Sequence, residues 1–200
     1  MLKNAYVLTG GIATGKSTVC SMLKEFGFFI IDADKIAKRE LNNSKEEIWK
    51  IFGDKVFESG KLCRKKLADL IFSSLRDREK LNNLLHPKIK NSIYEEAHRQ
   101  ETFNKPYIID IPLFFESGEY ECKMSVVVYA PKEIQIKRLM KRDNLDKKDA
   151  LKRLKAQIDI EIKKRRANWI IDNSKDLKHL QTEVEKFVKF VKEEYANCKI

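Results

Sequence analysis

Five short apolar runs, rich in β-branched and aromatic residues, recur along the chain at 5–9, 28–32, 107–111, 124–130 and 169–172. Each is continuous rather than alternating, the pattern of strands buried on both faces of a parallel sheet. Between them, apolar positions repeat at steps of three and four over 18–26, 132–141 and 147–166, so strands and helices alternate as in an α/β layered fold. The last stretch carries the clearest stripe, Leu177, Leu180, Val184, Phe187, Val191 and Tyr195, backed by Lys and Glu. It predicts a helix packed on the sheet. One connection breaks the rhythm. Residues 33–106 separate the second and third strands, far more than the dozen or so that a crossover helix needs. Helical patterns near 46–52, 64–75, 77–85 and 87–99 predict a helical subdomain inserted there, overhanging the strand ends where open α/β sheets bind ligands.

Composition narrows the class. Two hundred residues suffice for one core with an insert, and 42% hydrophobic residues, with 11 Phe and 6 Tyr against 7 Gly and 4 Pro, argue against disorder. No apolar span reaches membrane length, since the best stretch, 107–115, is broken by Asp110 and Pro112. The opening MLKNAYVLTGG lacks the apolar region and cleavage site of an export signal. Cys20, Cys63, Cys122 and Cys198 are too far apart for a CxxC pair or a disulfide framework, so reduced thiols in a cytoplasmic protein are expected. Lys+Arg 41 against Asp+Glu 30 gives a net charge of +11, which points to polyanionic partners.

The chemistry begins directly after the first strand. Gly10-Gly11-Ile12-Ala13-Thr14-Gly15-Lys16-Ser17-Thr18 satisfies GxxxxGK[ST], with a strand before it and a helical pattern after it. Such a loop turns its N–H groups around phosphate oxygens, with Lys16 reaching the β/γ-phosphates and Ser17 offering a hydroxyl to Mg²⁺. An NKxD base-reading motif is missing: the one Asn-Lys, Asn104-Lys105, runs into Pro106, which disfavours a GTPase. The small size, the insert and the late basic segment instead resemble small-molecule kinases that close a lid over donor and acceptor.

The second strand ends in Asp32-Ala33-Asp34, two carboxylates at i and i+2 pointing the same way. Either one caps the next helix or one orients an acceptor hydroxyl and takes its proton. Asp110, ending the third strand, either holds Mg²⁺ or its waters or is a buried acid bonded to the phosphate loop. The segment 132–166 has 14 Lys and Arg against 6 Asp and Glu, most of the excess charge. In a kinase, Arg142, Arg153 and Gln157 would face the nucleotide. Lys147, Lys148, Lys163 and Lys164 read as a solvated face that tolerates change. His86 before Pro87 reads as a helix start.

In chain order, GGIATGKST, IDADKIAK, GKLCRKKL (60–67), LHPKI (85–89), IDIPLFFE (109–116), RLMKRD (138–143) and IDNS (171–174) resemble the dephospho-CoA kinases over nearly the whole chain. The resemblance implies transfer of the ATP γ-phosphoryl to the 3′-hydroxyl of the ribose of dephospho-CoA, with Mg²⁺. The implied fold is a three-layer α/β P-loop kinase with a five-stranded parallel sheet. Its core is 1–34 and 107–200, with a lid at about 142–166 and a substrate-binding insert at 35–106. By the same resemblance Asp34 is the catalytic base, with Lys16 and Arg142 catalytic beside it. Asp32, Arg64, His86 and Arg153 bind the acceptor, and Gly11 to Thr18, Arg142 and Asn173 bind ATP. Ser17 and Asp110 serve the metal. One departure is visible: the family loop usually reads GGIGSGKS, and Ala13 fits without strain only at negative φ. No nucleic-acid or membrane partner is expected, and oligomeric state is left open. The competing readings are a kinase for another small acceptor, such as a nucleoside monophosphate, and a nucleotide-switched nucleic-acid-binding protein.

Overall fold

The computed structural model describes residues 2–118, 120 and 122–197. In chain order its strands are β1 (Ala5–Gly10), β2 (Ile30–Asp32), β3 (Phe57–Glu58), β4 (Lys61–Leu62), β5 (Tyr107–Asp110), β6 (Met124–Tyr129) and β7 (Trp169–Asp172). The helices are α1 (Lys16–Glu25), α2 (Ala33–Asn43), α3 (Lys45–Phe52), α4 (Arg64–Ser73), α5 (Leu75–Glu101), α6 (Phe114–Ser117), α7 (Lys132–Asp143), α8 (Lys147–Lys155), α9 (Ile160–Arg166) and α10 (Leu177–Asn197). The chain divides into two compact units, Met1–Asp32 with Glu96–Ile200, and Ala33–Glu95.

The larger unit holds the expected five-stranded sheet, ordered β2-β5-β1-β6-β7. Every pairing in it is parallel. The central strand β1 is buried at all six positions, because parallel neighbours flank it and helices cover it. Strands are added on one side of β1 and then on the other, so the loop leaving its C-terminal end lies at a topological switch point. Tyr6, Leu8, Val19, Leu23, Ile108, Val126 and Val128 form the core with Leu180, Val184, Phe187 and Val191 of α10. The apolar stripe of that helix thus packs on the sheet as its spacing predicts, although its first member, Leu177, is exposed.

Three local expectations change. The period over 147–166 belongs to two helices, because Asp159 caps α9 by accepting the N–H of Glu161 (2.9 Å) and interrupts the run. The patterns at 77–85 and 87–99 form a single helix, α5, with Pro87 inside it. His86 is therefore an exposed mid-helix residue and not a helix start. Proline costs about 3 kcal/mol in a helix interior. Here the stripe Leu81, Leu85, Ile93 and Ala97, all buried, runs at multiples of four across it, and Pro87 and Asn83, whose carbonyl loses its donor, face solvent. The third change is a hairpin, β3–β4, turning at Ser59 (φ 47°) and Gly60 (φ 73°). Two successive left-handed residues suit a tight turn. Within Ala33–Glu95, Ile48, Phe52, Val56, Phe57, Leu67, Leu81 and Leu85 form a separate core. Cys20, Cys63 and Cys122 are unpaired thiols, while Cys198 lies outside the described residues.

Candidate active site

The phosphate loop is shaped from within and clamped from outside. Thr14 is fully buried; its N–H and hydroxyl both donate to the carbonyl of Gly11 (3.3 and 2.9 Å). Asn173, just past β7, donates its side-chain amide to the carbonyl of Thr14 (2.7 Å). Gly15 has φ 94°, and a Cβ there would stand 2.2 Å from that amide nitrogen, so only glycine fits. Asn173 is itself held by a short turn. Ser174 donates its N–H and hydroxyl to Asp172 (2.9 and 3.0 Å), and His179 Nε2 lies 3.3 Å from the same carboxylate. Burial would raise the Asp172 pKa, but these partners outweigh it and hold the group below the usual carboxylate range.

Helix α1 starts at Lys16 with no side-chain cap. Its first N–H groups and positive dipole end therefore face the loop, an arrangement that selects anions. Lys16 is paired with Asp110 at the end of β5. The other oxygen of Asp110 accepts from Cys20 Sγ (3.3 Å), one helical turn beyond Lys16. Burial and the Asp110 carboxylate push the Cys20 thiol up to about 12, so it stays protonated and donates. Asp32 stands directly beside Asp110 in the β2–β5 register, which puts two carboxylates on adjacent strand ends. Ser17, the first residue after Lys16, is exposed. Ala13 adopts φ 60°, a left-handed conformation that carries modest strain for a residue with a Cβ.

Arg142 grips Asp143 with two nitrogens (2.8 and 3.1 Å), and Arg153 reaches the same carboxylate (2.5 Å). Both arginines are exposed. Gln157 does not project outward: its side-chain oxygen accepts the N–H of Ile12 in the phosphate loop (2.9 Å). Lys163 departs most from expectation. It is fully buried rather than solvated, with Nζ 2.7 Å from Glu116 Oε1 and 3.1 Å from the carbonyl of Gly10. Lys164 is half-buried over the ring of Tyr129, 4.1 Å from its centroid.

Arg138 carries a role that reading the sequence missed. Its Nη2 donates to the carbonyl of Asn173 (3.0 Å), while Nη1 is buried without a partner among the described residues. With Gly15, Thr18, Asn173, Lys175 and Leu177 it lines a cavity of about 310 Å³. The RLMKRD segment contained it, but nothing in the spacing ranked Arg138 above Arg142.

Within the Ala33–Glu95 unit, Asp34 is an exposed residue in the first turn of α2. It and Arg64, which donates to Asn42 (3.1 Å), line a cavity of about 500 Å³ whose walls include Leu41, Leu67, Ile71, Leu81, Leu85 and Ile89. His86 is not among its lining residues.

Known proteins match nearly the whole chain. The dephospho-CoA kinase family model matches residues 5–179. A dephospho-CoA kinase of Sulfurimonas denitrificans is 49% identical over 98% of each chain, and one of Helicobacter pylori 43% identical over 94% of this chain and 98% of its own. The solved dephospho-CoA kinase from Campylobacter jejuni superposes with a TM-score of 0.79 at 37% identity, covering 96% of this chain and 98% of its own. The crystal structure of TT1252 from Thermus thermophilus gives 0.81 at 33% identity, over 94% and 97%. With the phosphate loop, the DAD strand end and the apolar insert cavity in one chain, these matches place it in the dephospho-CoA kinase family.

Proposed function

We propose that the protein transfers the γ-phosphoryl group of ATP to the 3′-hydroxyl of the ribose of dephospho-CoA, giving coenzyme A and ADP, the last step of coenzyme A synthesis. The observation that carries the donor half is Lys16, held on Asp110 at the head of an uncapped helix behind a clamped phosphate loop. Backbone N–H groups from Gly11 to Thr18 and the Lys16 ammonium take the phosphates. The cavity between Gly15, Thr18, Arg138 and Asn173 takes the base, with the flat Arg138 guanidinium as a stacking surface.

The acceptor half rests on the cavity of the Ala33–Glu95 unit. Its apolar wall suits an uncharged arm of the acceptor, and Arg64 suits a phosphate oxygen. His86, exposed on α5 and outside the lining of that cavity, takes no part in this reading of the acceptor half. Asp34 orients the 3′-hydroxyl and takes its proton as the oxygen bonds to the γ-phosphorus, while the bond to the β–γ bridging oxygen breaks and ADP departs. The transition state is loose, so positioning supplies most of the acceleration. Asp32 supports Asp34 from the strand end. Arg142 and Arg153 exchange part of their hold on Asp143 for the transferring group and its acceptor.

The Ser17 hydroxyl and the Asp110 and Asp32 carboxylates are hard oxygen donors of the kind that hold Mg²⁺ together with phosphates and water. When bound there, the ion neutralises charge on the β- and γ-phosphates. No helix among the described residues is long and apolar enough to cross a membrane. The unpaired thiols Cys20, Cys63 and Cys122 suit the reducing cytoplasm. Within the basic segment, Lys163 is buried and Arg142 and Arg153 share one carboxylate.

An assay of ADP release with a panel of acceptors tests the reading. Turnover is expected with dephospho-CoA; turnover with AMP or shikimate and none with dephospho-CoA would refute it.

A further inference from the structure

The connection between α8 and α9 is fastened at two points, one on the phosphate loop and one on α6. Gln157 accepts the Ile12 N–H, and the N–H of the next residue, Ile158, donates to Glu116 Oε1 (3.0 Å). That same oxygen pairs with the buried Lys163, whose ammonium also donates to the carbonyl of Gly10 where β1 becomes the loop. Three distant pieces of chain therefore meet on one ion pair: the loop mouth, the short helix α6 and the basic α8–α9 segment. The neighbourhood leaves little slack. A Cβ on Gly10 would stand 2.9 Å from the carbonyl oxygen of Val128, and one on Gly11 2.7 Å from Gln135 Oε1.

Stability alone gives no reason for this pair. Removing an ammonium and a carboxylate from water is expensive, and apolar residues of similar volume commonly serve as well or better. The pair is also imperfectly satisfied, since Glu116 Oε2 is buried without a hydrogen-bond partner among the described residues. Its geometry does fix two things: the direction of the Gly10 carbonyl, and so the peptide plane that starts the loop, and the root of the segment carrying Arg142 and Arg153.

We propose that Lys163 and Glu116 are positioning residues for phosphoryl transfer, a buried ion pair that holds the mouth of the phosphate loop and the α8–α9 connection in one register. Neither residue touches substrate; both act through Gly10, Ile158 and, one residue away, Gln157. The assignment rests on ATP being the phosphoryl donor, and the readouts below separate failure of that reading from failure of the pair's role.

The experiment compares the parent with Lys163→Met, with the double variant Lys163→Met/Glu116→Leu, and with Gln157→Ala. It measures kcat, the KM for each substrate and the melting temperature with and without ATP. The double variant, which has no unpaired buried charge, is expected to melt at or above the parent temperature. Its KM for ATP should rise and its kcat fall by about tenfold or more, the scale of a misplaced loop. Its KM for dephospho-CoA should stay within about twofold of the parent's, and the parent itself should melt at a higher temperature with ATP than without. Gln157→Ala should raise the KM for ATP less. A merely structural pair would shift melting temperature and leave kcat and both KM values of the folded variants within about twofold of the parent. That result overturns the assignment, and so does a double variant that cannot fold, since the pair's value would then be stability. A parent protein without an ATP-induced shift would instead refute ATP as the donor.

Discussion

The two units of this chain prepare for a ligand in opposite ways. In the larger one almost every polar group near the phosphate loop is already engaged: Lys16 with Asp110, Asp110 with Cys20, Asn173 with Thr14, Gln157 with Ile12 and Lys163 with Gly10. In the Ala33–Glu95 unit the cavity is walled mainly by aliphatic side chains, and its candidate polar residues, Asp34 and Arg64, are exposed at their positions. The contrast follows from what each must recognise. A triphosphate offers only charge and hydrogen-bond acceptors, so donors must be fixed in advance. An acceptor with a long uncharged arm contributes area, and apolar walls bind area without fixed directions.

If that contrast is sound, changes on the donor side should damage catalysis most. Lys16→Ala removes a charge aimed at the transferring group, and kcat should fall by about a thousandfold, the upper range for losing one preorganised donor. It also strands Asp110 beside Cys20, so the KM for ATP should rise as well. Steady-state kinetics on folded protein decides this, and a kcat within tenfold of the parent would place the essential charge elsewhere. Asp34→Asn comes next. It keeps the shape of the side chain while removing its basicity, so kcat should fall about a hundredfold, the lower range for a general base. ATP binding should survive, because the donor site lies in the other unit. An unchanged kcat would transfer the proton to Asp32 or remove the base altogether.

What could be read from sequence divides along the same line. The sheet was legible because parallel strands buried on both faces are continuous apolar runs, and GxxxxGK[ST] declares its strand–loop–helix context. The insert was legible as a length anomaly, but its hairpin hides in two-residue strands and its longest helix crosses a proline. Asp34 is still read through resemblance and its place after β2, whereas Lys163 was misread. Within a run that reads KKRR, no periodicity tells a lysine that turns inward from its neighbours. The partners that decide its burial, Glu116 and Gly10, lie 47 and 153 positions away. Arg138 is a similar case: its partner, the carbonyl of Asn173, is supplied by a distant turn and not by any local pattern.

The smallest expected effect sharpens the comparison most, because it asks whether the donor loop is held by bonds or by its intrinsic backbone preference. Ala13 sits at φ 60°, inside a loop whose neighbours are clamped by Asn173, Gln157 and Thr14. A left-handed alanine costs about 1–2 kcal/mol, and replacing it with glycine returns that strain but adds about 0.5–1 kcal/mol of unfolded-chain entropy. The net gain should lie between zero and about 1.5 kcal/mol, which for a chain of this size raises the melting temperature by up to roughly 3–6 °C. Ala13→Gly should therefore stabilise the protein slightly while kcat and the KM for ATP stay within about twofold, since the surrounding bonds already set the loop and positioning is unchanged. A melting temperature that falls, or a KM for ATP that rises severalfold, would mean that the methyl group of Ala13 stiffens the loop in a way its clamps do not, and that the donor site owes its preparation to backbone restraint as much as to the polar groups around it.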